Sequence, residues 1–267
     1  MIAAAPLTIE QPAYFDRLAE IETRHWWALG MWRLASHWLR AALRGRNGLS
    51  ALDVGCGTGQ TALRLARRPE IDRVVGLDPS PEALEHAQRR HPFPLVRGSA
   101  VELPFADSRF DVVTCFDVLQ HVGPGDDRRA IAELYRVLQP GGIALVRSNA
   151  RARGRTSVEG YRLRELIDRF NDNGFQVMRA SYANFLPALL QEARGRFSAG
   201  SSGRTDRRKG ARKQGHPAGG GLQIRLPHPW INQIMRGVST VEAGIAGCTP
   251  IPLPYGHSTV LLARRRG

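Results

Sequence analysis

Apolar residues along the chain follow two rhythms that take turns. Short hydrophobic runs bounded by turn residues occur at Ser50–Val54, Arg73–Leu77, Leu95–Arg97, Phe110–Phe116, Ile143–Val146, Phe175–Tyr182 and Ser258–Ala263. They are too short for helices and rich in Val, Leu and Phe, which suits strands buried on both faces. Between them lie helical stretches at Thr61–Arg68, from Ser80 onward, at Asp126–Leu138 and at Glu159–Asn173. Ser80 can cap a helix, Pro81 fits its first position, and Glu82 puts an acid in the first turn. Pro140-Gly141-Gly142 and Gly174 supply stops. Strand and helix in alternation predict a parallel, doubly wound α/β sheet.

Both flanks depart from this alternation. From Pro12 to Leu43 the pattern is helical, with Phe15, Leu18, Ile21 and His25, then Leu34, Trp38 and Ala41, three or four apart. The cluster His25-Trp26-Trp27, followed by Trp32 and Arg33, is unusually aromatic. It suits a helix covering the core, and equally a lid whose tryptophans wall a ligand while Arg33 grips an anion. Beyond Ala183, Phe185, Leu186, Leu189, Leu190 and Phe197 form one apolar stripe. Trp230, Ile234, Val238 (or Val241) and Ile245 form another. Ser198–Gly221 between them is Gly/Ser/Arg/Lys-rich and is expected to be disordered, having little apolar surface to bury. The expected organisation is a helical lid at 1–44, a core at 45–183, an insertion at 184–257 with a basic linker at about 198–221, and a closing strand and basic tail at 258–267. The two stripes are expected to bury against each other as a substrate cap; weak peripheral membrane contact is the alternative.

Charge changes this picture little. The formal net charge is +14, but six basic residues and one acid between Arg204 and Lys213 supply +5, and Arg264–Arg266 supply +3. All basic residues but Lys209 and Lys213 are arginines, a bias that gene base composition readily produces. Nucleic acid is disfavoured as a substrate; weak attraction to phosphate or anionic membrane is expected instead. Cys56, Cys115 and Cys248 are scattered and odd in number, which suggests neither a disulfide framework nor a metal site. Met1–Pro6 lacks a signal peptide's basic and apolar regions, and no apolar run reaches membrane-spanning length. A cytoplasmic enzyme is the default expectation.

The chemistry centres on Ala51-Leu-Asp-Val-Gly-Cys-Gly-Thr-Gly-Gln60, a strand running into three alternating glycines and a helix. Glycines this dense let backbone turn tightly and lie against a ligand. A dinucleotide fingerprint would put its third glycine at position 60, where Gln60 stands, which counts against NAD or FAD. Asp78, ending the second strand, suits the two hydroxyls of a ribose.

Five motifs in order now resemble the class I S-adenosylmethionine-dependent methyltransferases. They are Leu52-Asp-Val-Gly-Cys-Gly-Thr-Gly59 with Asp78, Gly98-Ser-Ala-Val-Glu-Leu-Pro-Phe105, Phe110-Asp-Val-Val113, Asp117-Val-Leu-Gln-His-Val122 and Leu138-Gln-Pro-Gly-Gly142. The resemblance implies a Rossmann-like seven-stranded sheet of order 3-2-1-4-5-7-6, its last strand antiparallel. It implies that Asp53, Gly55, Cys56, Gly57, Thr58 and Gly59 line the methionine moiety of S-adenosylmethionine, that Asp78 holds the ribose, and that Pro79, Ser99, Ala100 and Val101 border the adenine. Ser99 stands where members often carry an acid. Phe116, Asp117, Gln120 and His121 follow the fourth strand, where methyl and acceptor should meet. Methyl transfer to O or N is an in-line displacement that needs alignment and a route for the acceptor's proton. His121 is the first candidate base and His25, on the lid, the second; His257 suits a loop.

The termini carry a looser resemblance. Glu22-Thr-Arg-His-Trp-Trp27 and Leu253-Pro-Tyr-Gly-His-Ser258 look like the ends of bacterial methyltransferases encoded with polysaccharide or lipid-linked glycan genes. Trp26, Trp27 and Arg33 would then contact the acceptor. No Asn/Asp-Pro-Pro-Tyr motif of amino-group DNA methylases follows the fourth strand, no Pro-Cys offers a cytosine nucleophile, and no carboxylate–histidine cluster suggests a metal. A small-molecule methyltransferase is the expectation, with a non-catalytic cofactor-binding module and an NAD-dependent oxidoreductase as alternatives.

Overall fold

The computed structural model describes residues 13–123, 125–151, 160–189 and 226–267. Seven strands form one sheet of order β3-β2-β1-β4-β5-β7-β6. They are β1 (Leu49–Val54), β2 (Ile71–Asp78), β3 (Leu95–Arg97), β4 (Phe110–Phe116), β5 (Leu138–Asn149), β6 (Phe175–Ala183) and β7 (Ser258–Arg265). The first five pair in parallel, and β7 enters antiparallel between β5 and β6. The expected fold and strand order are therefore those observed.

Alternate residues of the central strands feed two cores, one on each face. Leu52, Val54, Val113, Cys115, Ala144 and Val146 join Ile131, Leu134 and Phe170 in one cluster. Ala51, Val112, Ile143 and Leu145 join Leu34, Trp38, Leu39 and Leu65 in the other. This period of two, apolar in both directions, is why those strands read as unbroken hydrophobic runs.

The helices are α1 (Ala13–Arg24), α2 (Trp26–Ala42), α3 (Gln60–Ala66), α4 (Pro81–Arg90), α5 (Asp126–Val137), α6 (Leu163–Asp172) and α7 (Pro229–Cys248). Ser80 caps α4 by accepting from Ala83 N at 3.1 Å. The helical stretch before Leu43 is two helices, because His25 is extended and its Nδ1 accepts from Trp27 N at 3.1 Å. The expected helix at 159–173 begins at Leu163, and β5 starts at Leu138, running through the glycines expected only to stop α5. The linker at 198–221 lies outside the described residues, as do Leu190 and Phe197.

The expectation for the second apolar stripe needs correction. On α7 the buried positions are Ser239, Glu242, Ala243 and Ala246. Trp230, Ile234, Val241 and Ile245 are 60%, 57%, 61% and 53% exposed, and Leu186 and Leu189 of the first stripe are exposed too. Thus the described stripes do not bury against each other. The small side of α7 lies on α2, where a Cβ on Gly30 would stand 2.7 Å from Ser239 Cβ. Close approach exposes backbone for polar bonds, and Trp38 Nε1 donates to Ala246 O at 3.2 Å. Glu242 instead serves main chain, accepting from Phe185 N and Leu186 N at 3.0 and 3.2 Å. Asn232 clamps the α1–α2 corner, accepting from Trp26 N at 3.0 Å and donating to Arg24 O at 2.8 Å. A residue from late in the chain thereby fixes the corner that overhangs the sheet.

Candidate active site

Parallel strands that change direction of connection leave a crevice at their C-terminal ends. Here the neighbours β1 and β4 mark that reversal of strand order, and the glycine turn follows the end of β1. Gly55 N and Cys56 N both donate to Leu77 O, at 2.7 and 2.9 Å, which draws the turn over β2. Asp78 reinforces it: Oδ2 accepts from Gly57 N and Oδ1 from Ser80 N, both at 2.9 Å. Gly57 has φ +53°, and a Cβ there would meet nothing within 4 Å, so this peptide borders open space. Gly55 has φ +70° and a Cβ there would strike Val118 at 2.2 Å, so this position is closed to side chains twice over. Gly59 begins α3 and packs under His91 and Phe93. Cys56 is buried with its Sγ toward Gly76, so only its main chain faces the turn.

Asp53 sits beneath this turn, in register with Thr114 of β4. Thr114 Oγ1 donates to Asp53 Oδ1 at 2.7 Å, while Oδ2 is buried with no hydrogen-bond partner. Burial, helped by the charges of Glu22 and Asp78, raises the Asp53 carboxyl to about 7 against the pull of Thr114 and of the Ala62 main-chain N–H. The Asp78 carboxyl is likewise raised by burial, and its two N–H donors oppose this. Both carboxylates thus stand ready to accept further donors. Pro79 and Ser99, after the β2 and β3 ends, are exposed, Val101 is half-buried and Ala100 is buried. Ser99 Oγ accepts from Val101 N at 3.4 Å, closing a short turn.

Next to the glycine turn is a cavity of about 260 Å³. Leu18, Ile21, Glu22, Trp27, Ala28 and Trp32 wall it from the lid. Gln60, Thr61 and Arg64 of α3 close one side, and Phe116, Asp117, Gln120, His121, Arg147 and Asn149 form the sheet side. Asp117 takes φ +58°, strained for a non-glycine residue, and ion-pairs with Arg147, whose Nε lies 3.1 Å from Oδ1. The Arg147 guanidinium lies 4.8 Å from the Trp27 ring centroid and 4.9 Å from that of Phe116. Cation–π contacts on two rings and an ion pair fix this arginine in place. Gln120 Oε1 accepts from Ser148 Oγ and from Asn149 N, the latter at 3.1 Å, pinning the loop after β4 to β5.

Of the residues singled out from sequence, the cavity brings together Trp27, Phe116, Asp117, Gln120 and His121. It does not bring in His25, Trp26 or Arg33. His25 is buried as the cap of α2, and burial lowers its imidazole's proton affinity. Trp26 stacks near His25, ring centroids 5.3 Å apart. Arg33 is half-buried, with Nη1 lacking a hydrogen-bond partner.

Trp32, expected among the tryptophans of the lid, does line the cavity, whereas sequence reasoning gave no role to Glu22, Arg64 or Arg147. Thr58 Oγ1 donates to Glu22 Oε2, and Arg64 Nη2 donates to Glu22 O at 2.7 Å while stacking on Trp32 at 5.4 Å. Burial raises the Glu22 carboxyl to about 7, Thr58, Arg147 and Arg64 pulling the other way. Two signals pointed here. Glu22 lies four residues after Leu18, on the apolar face of its helix, and Arg147 ends the buried run Ile143–Val146.

Residues 52–146 match a family model described as a methyltransferase domain. A 2-phytyl-1,4-naphtoquinone methyltransferase of Nostoc punctiforme is 36% identical over 153 residues, covering 52% of this chain and 64% of that protein. The chain therefore spans a little under two thirds of that relative. Among solved structures, the methyltransferase in a complex with the Haloferax volcanii Trm112 methyltransferase activator has a TM-score of 0.58 at 19% identity, covering 99% of this chain and 100% of that one. The (4+2)-cyclase SpnF has a TM-score of 0.54 at 22% identity, covering 88% and 80%. At such identities these structures speak to the fold alone, and a cyclase among them means that fold does not dictate reaction. In its strand order the sheet is that of the Rossmann-like methyltransferase fold, and its central segment, residues 52–146, matches the methyltransferase-domain family.

Proposed function

We propose that the chain is an S-adenosylmethionine-dependent methyltransferase acting on a small molecule that carries an apolar ring and an ionisable hydroxyl or amine. The observation that carries this reading is the cavity opening beside the glycine turn, apolar on its lid side except for Glu22 and with Asp117 and Arg147 on its sheet side. The residues present fit the cofactor. Asp53 Oδ2 lacks a partner and suits the methionine ammonium, the open face of Gly57 suits the chain beside it, and Asp78 retains lone pairs for two ribose hydroxyls. Ser99, Ala100 and Val101 would border the adenine, with Pro79 on its other side.

Bound there, the cofactor supplies an electrophilic methyl group on a sulfonium. The chain's own contribution is alignment. Trp27, Trp32 and Ile21 offer flat apolar walls, and the fixed Arg147 presents positive charge at the mouth of β5. Closure by α1 and α2 keeps water from competing for the methyl group. His121 is exposed at the rim of the cavity. The apolar wall and the naphthoquinone substrate class of the Nostoc relative favour a ring-bearing acceptor, such as a reduced quinone, over a bare sugar. Incubation with S-adenosylmethionine and 1,4-naphthohydroquinone, read by mass spectrometry, tests this. A product 14 mass units heavier, about one methylene, supports it. Methylation of sugars with no transfer to hydroquinones would overturn the acceptor class.

A further inference from the structure

The cavity holds one carboxyl whose setting differs from that of every other acid around it. Asp117 is paired with Arg147, and Asp78 is held by two main-chain N–H groups. Glu22 accepts only from the Thr58 hydroxyl, because Arg64 spends its contact on the main-chain oxygen of Glu22 and Arg147 on Asp117. The groups that face Glu22 are Thr58 on the glycine turn, Asp53 of β1 below it, Arg64 on α3, and Asp117 and Arg147 at the ends of β4 and β5. Tyr14 feels its charge along α1, and His121 lies across the cavity. Desolvation and the two acids discourage ionisation, Thr58 and the two arginines encourage it, and the balance leaves the carboxyl poised near neutral pH, where an arriving cation favours the ionised form.

Resting on the methyltransferase reading, we infer that Glu22 is the proton exchanger of this cavity, losing its proton when a cationic cofactor enters and taking up the acceptor's proton during transfer. Three observations carry this. Glu22 lines the same cavity as Phe116, Asp117 and His121; it reaches the glycine turn through Thr58; and no guanidinium neutralises its carboxylate. In the transfer, the bond from methyl to acceptor oxygen or nitrogen forms as the sulfur–methyl bond breaks, its electron pair staying on sulfur. The acceptor's proton passes to the Glu22 carboxylate and then to solvent. Positive charge leaves the sulfur in the same event, so the carboxylate loses the cation that kept it ionised and protonation becomes favourable. A half-buried acid placed this way would follow the charge of the cofactor.

Proton linkage tests this without an identified acceptor. S-adenosylmethionine and S-adenosylhomocysteine differ by a methyl group and one positive charge, so their difference isolates the response to the cation. The full chain is titrated with each, by calorimetry at pH 7 in two buffers of unlike ionisation heat. Both compounds carry the ammonium proposed for Asp53, whose carboxyl burial also holds at about 7, so that contribution cancels. Because burial holds the Glu22 carboxyl at about 7, S-adenosylmethionine should displace about half a proton more than S-adenosylhomocysteine. In E22Q, whose amide oxygen still accepts from Thr58, that difference should vanish while S-adenosylhomocysteine affinity stays within about threefold. E22D should restore part of it, and H121Q should leave it intact. A difference unchanged in E22Q, or abolished in H121Q, overturns the assignment. A fall of more than tenfold in S-adenosylhomocysteine affinity in E22Q overturns it too, making Glu22 a cofactor ligand. Binding of neither compound to the wild-type chain would instead sink the methyltransferase reading itself.

Discussion

The two walls of the crevice are built on different plans. The cofactor wall is made of main chain: the turn from Gly55 to Gly59 is drawn over β2 by Leu77 O and Asp78, and its residues lie within 30 positions of one another. The wall proposed to face the acceptor is made of side chains from four places in the chain, Glu22, Arg64, Asp117 and Arg147, and it rests on a corner clamped by Asn232. A turn specified by local spacing can be read from a sequence and matched across relatives. A wall assembled by packing can change its chemistry while the turn stays the same, which is how one fold serves many acceptors.

This contrast is breakable, and the largest effect should come from the lid. Gly30→Val would force a side chain into Ser239, where even a Cβ stands 2.7 Å away. It should cost about 2 kcal/mol of stability through overpacking and abolish turnover. Calorimetry should still find S-adenosylhomocysteine bound within about threefold at a temperature where the variant is folded. Equal loss of cofactor affinity would mean that the walls are not separate.

Asp78→Ala strikes the other wall. It removes an acceptor for Gly57 N and Ser80 N as well as the expected ribose contacts. Affinity for S-adenosylhomocysteine should fall at least tenfold, about 1.5 kcal/mol for lost charge-assisted hydrogen bonds. An unchanged value places the ribose partner elsewhere. His25→Ala should cost about 1 kcal/mol, a helix cap's worth, seen as a lower Tm with turnover per folded molecule retained. Loss of turnover at full stability would restore His25 as a catalytic group.

The smallest expected effect is on pH-dependent stability. Burial raises Glu22 and Asp53 each to about 7, so the folded chain keeps protons that the unfolded chain releases near 4. That contribution is full below the unfolded value and is lost as pH rises through about 7. With water reaching the cavity, the loss attributable to Glu22 should be about 1 kcal/mol between pH 5 and pH 8. Urea unfolding of wild type and E22Q at both values measures it; parallel curves would contradict the burial argument.

The sheet was legible because its strands are apolar on both faces and are spaced by capped helices, as at Ser80 and Gly174. The glycine turn was legible from the spacing of Gly55, Gly57 and Gly59 against Gln60. The placement of α7 was not, for a physical reason. Its buried side is Ser239, Glu242, Ala243 and Ala246, chosen for close approach to α2, whereas the apolar Trp230, Ile234, Val241 and Ile245 are exposed. Hydrophobic periodicity picks the wrong face when a helix packs through small residues. Histidines drew attention as bases, yet His25 caps a helix, and an acid on an apolar helix face lies in the cavity instead. No helix among the described residues is long and apolar enough to cross a membrane.

The crevice beside the glycine turn is proposed to hold S-adenosylmethionine rather than a dinucleotide. Calorimetric titration of the wild-type chain with S-adenosylmethionine, S-adenosylhomocysteine and NAD tests it most directly. Saturable one-to-one binding of the first two is expected, with no heat beyond dilution for NAD. Binding of NAD alone would contradict it.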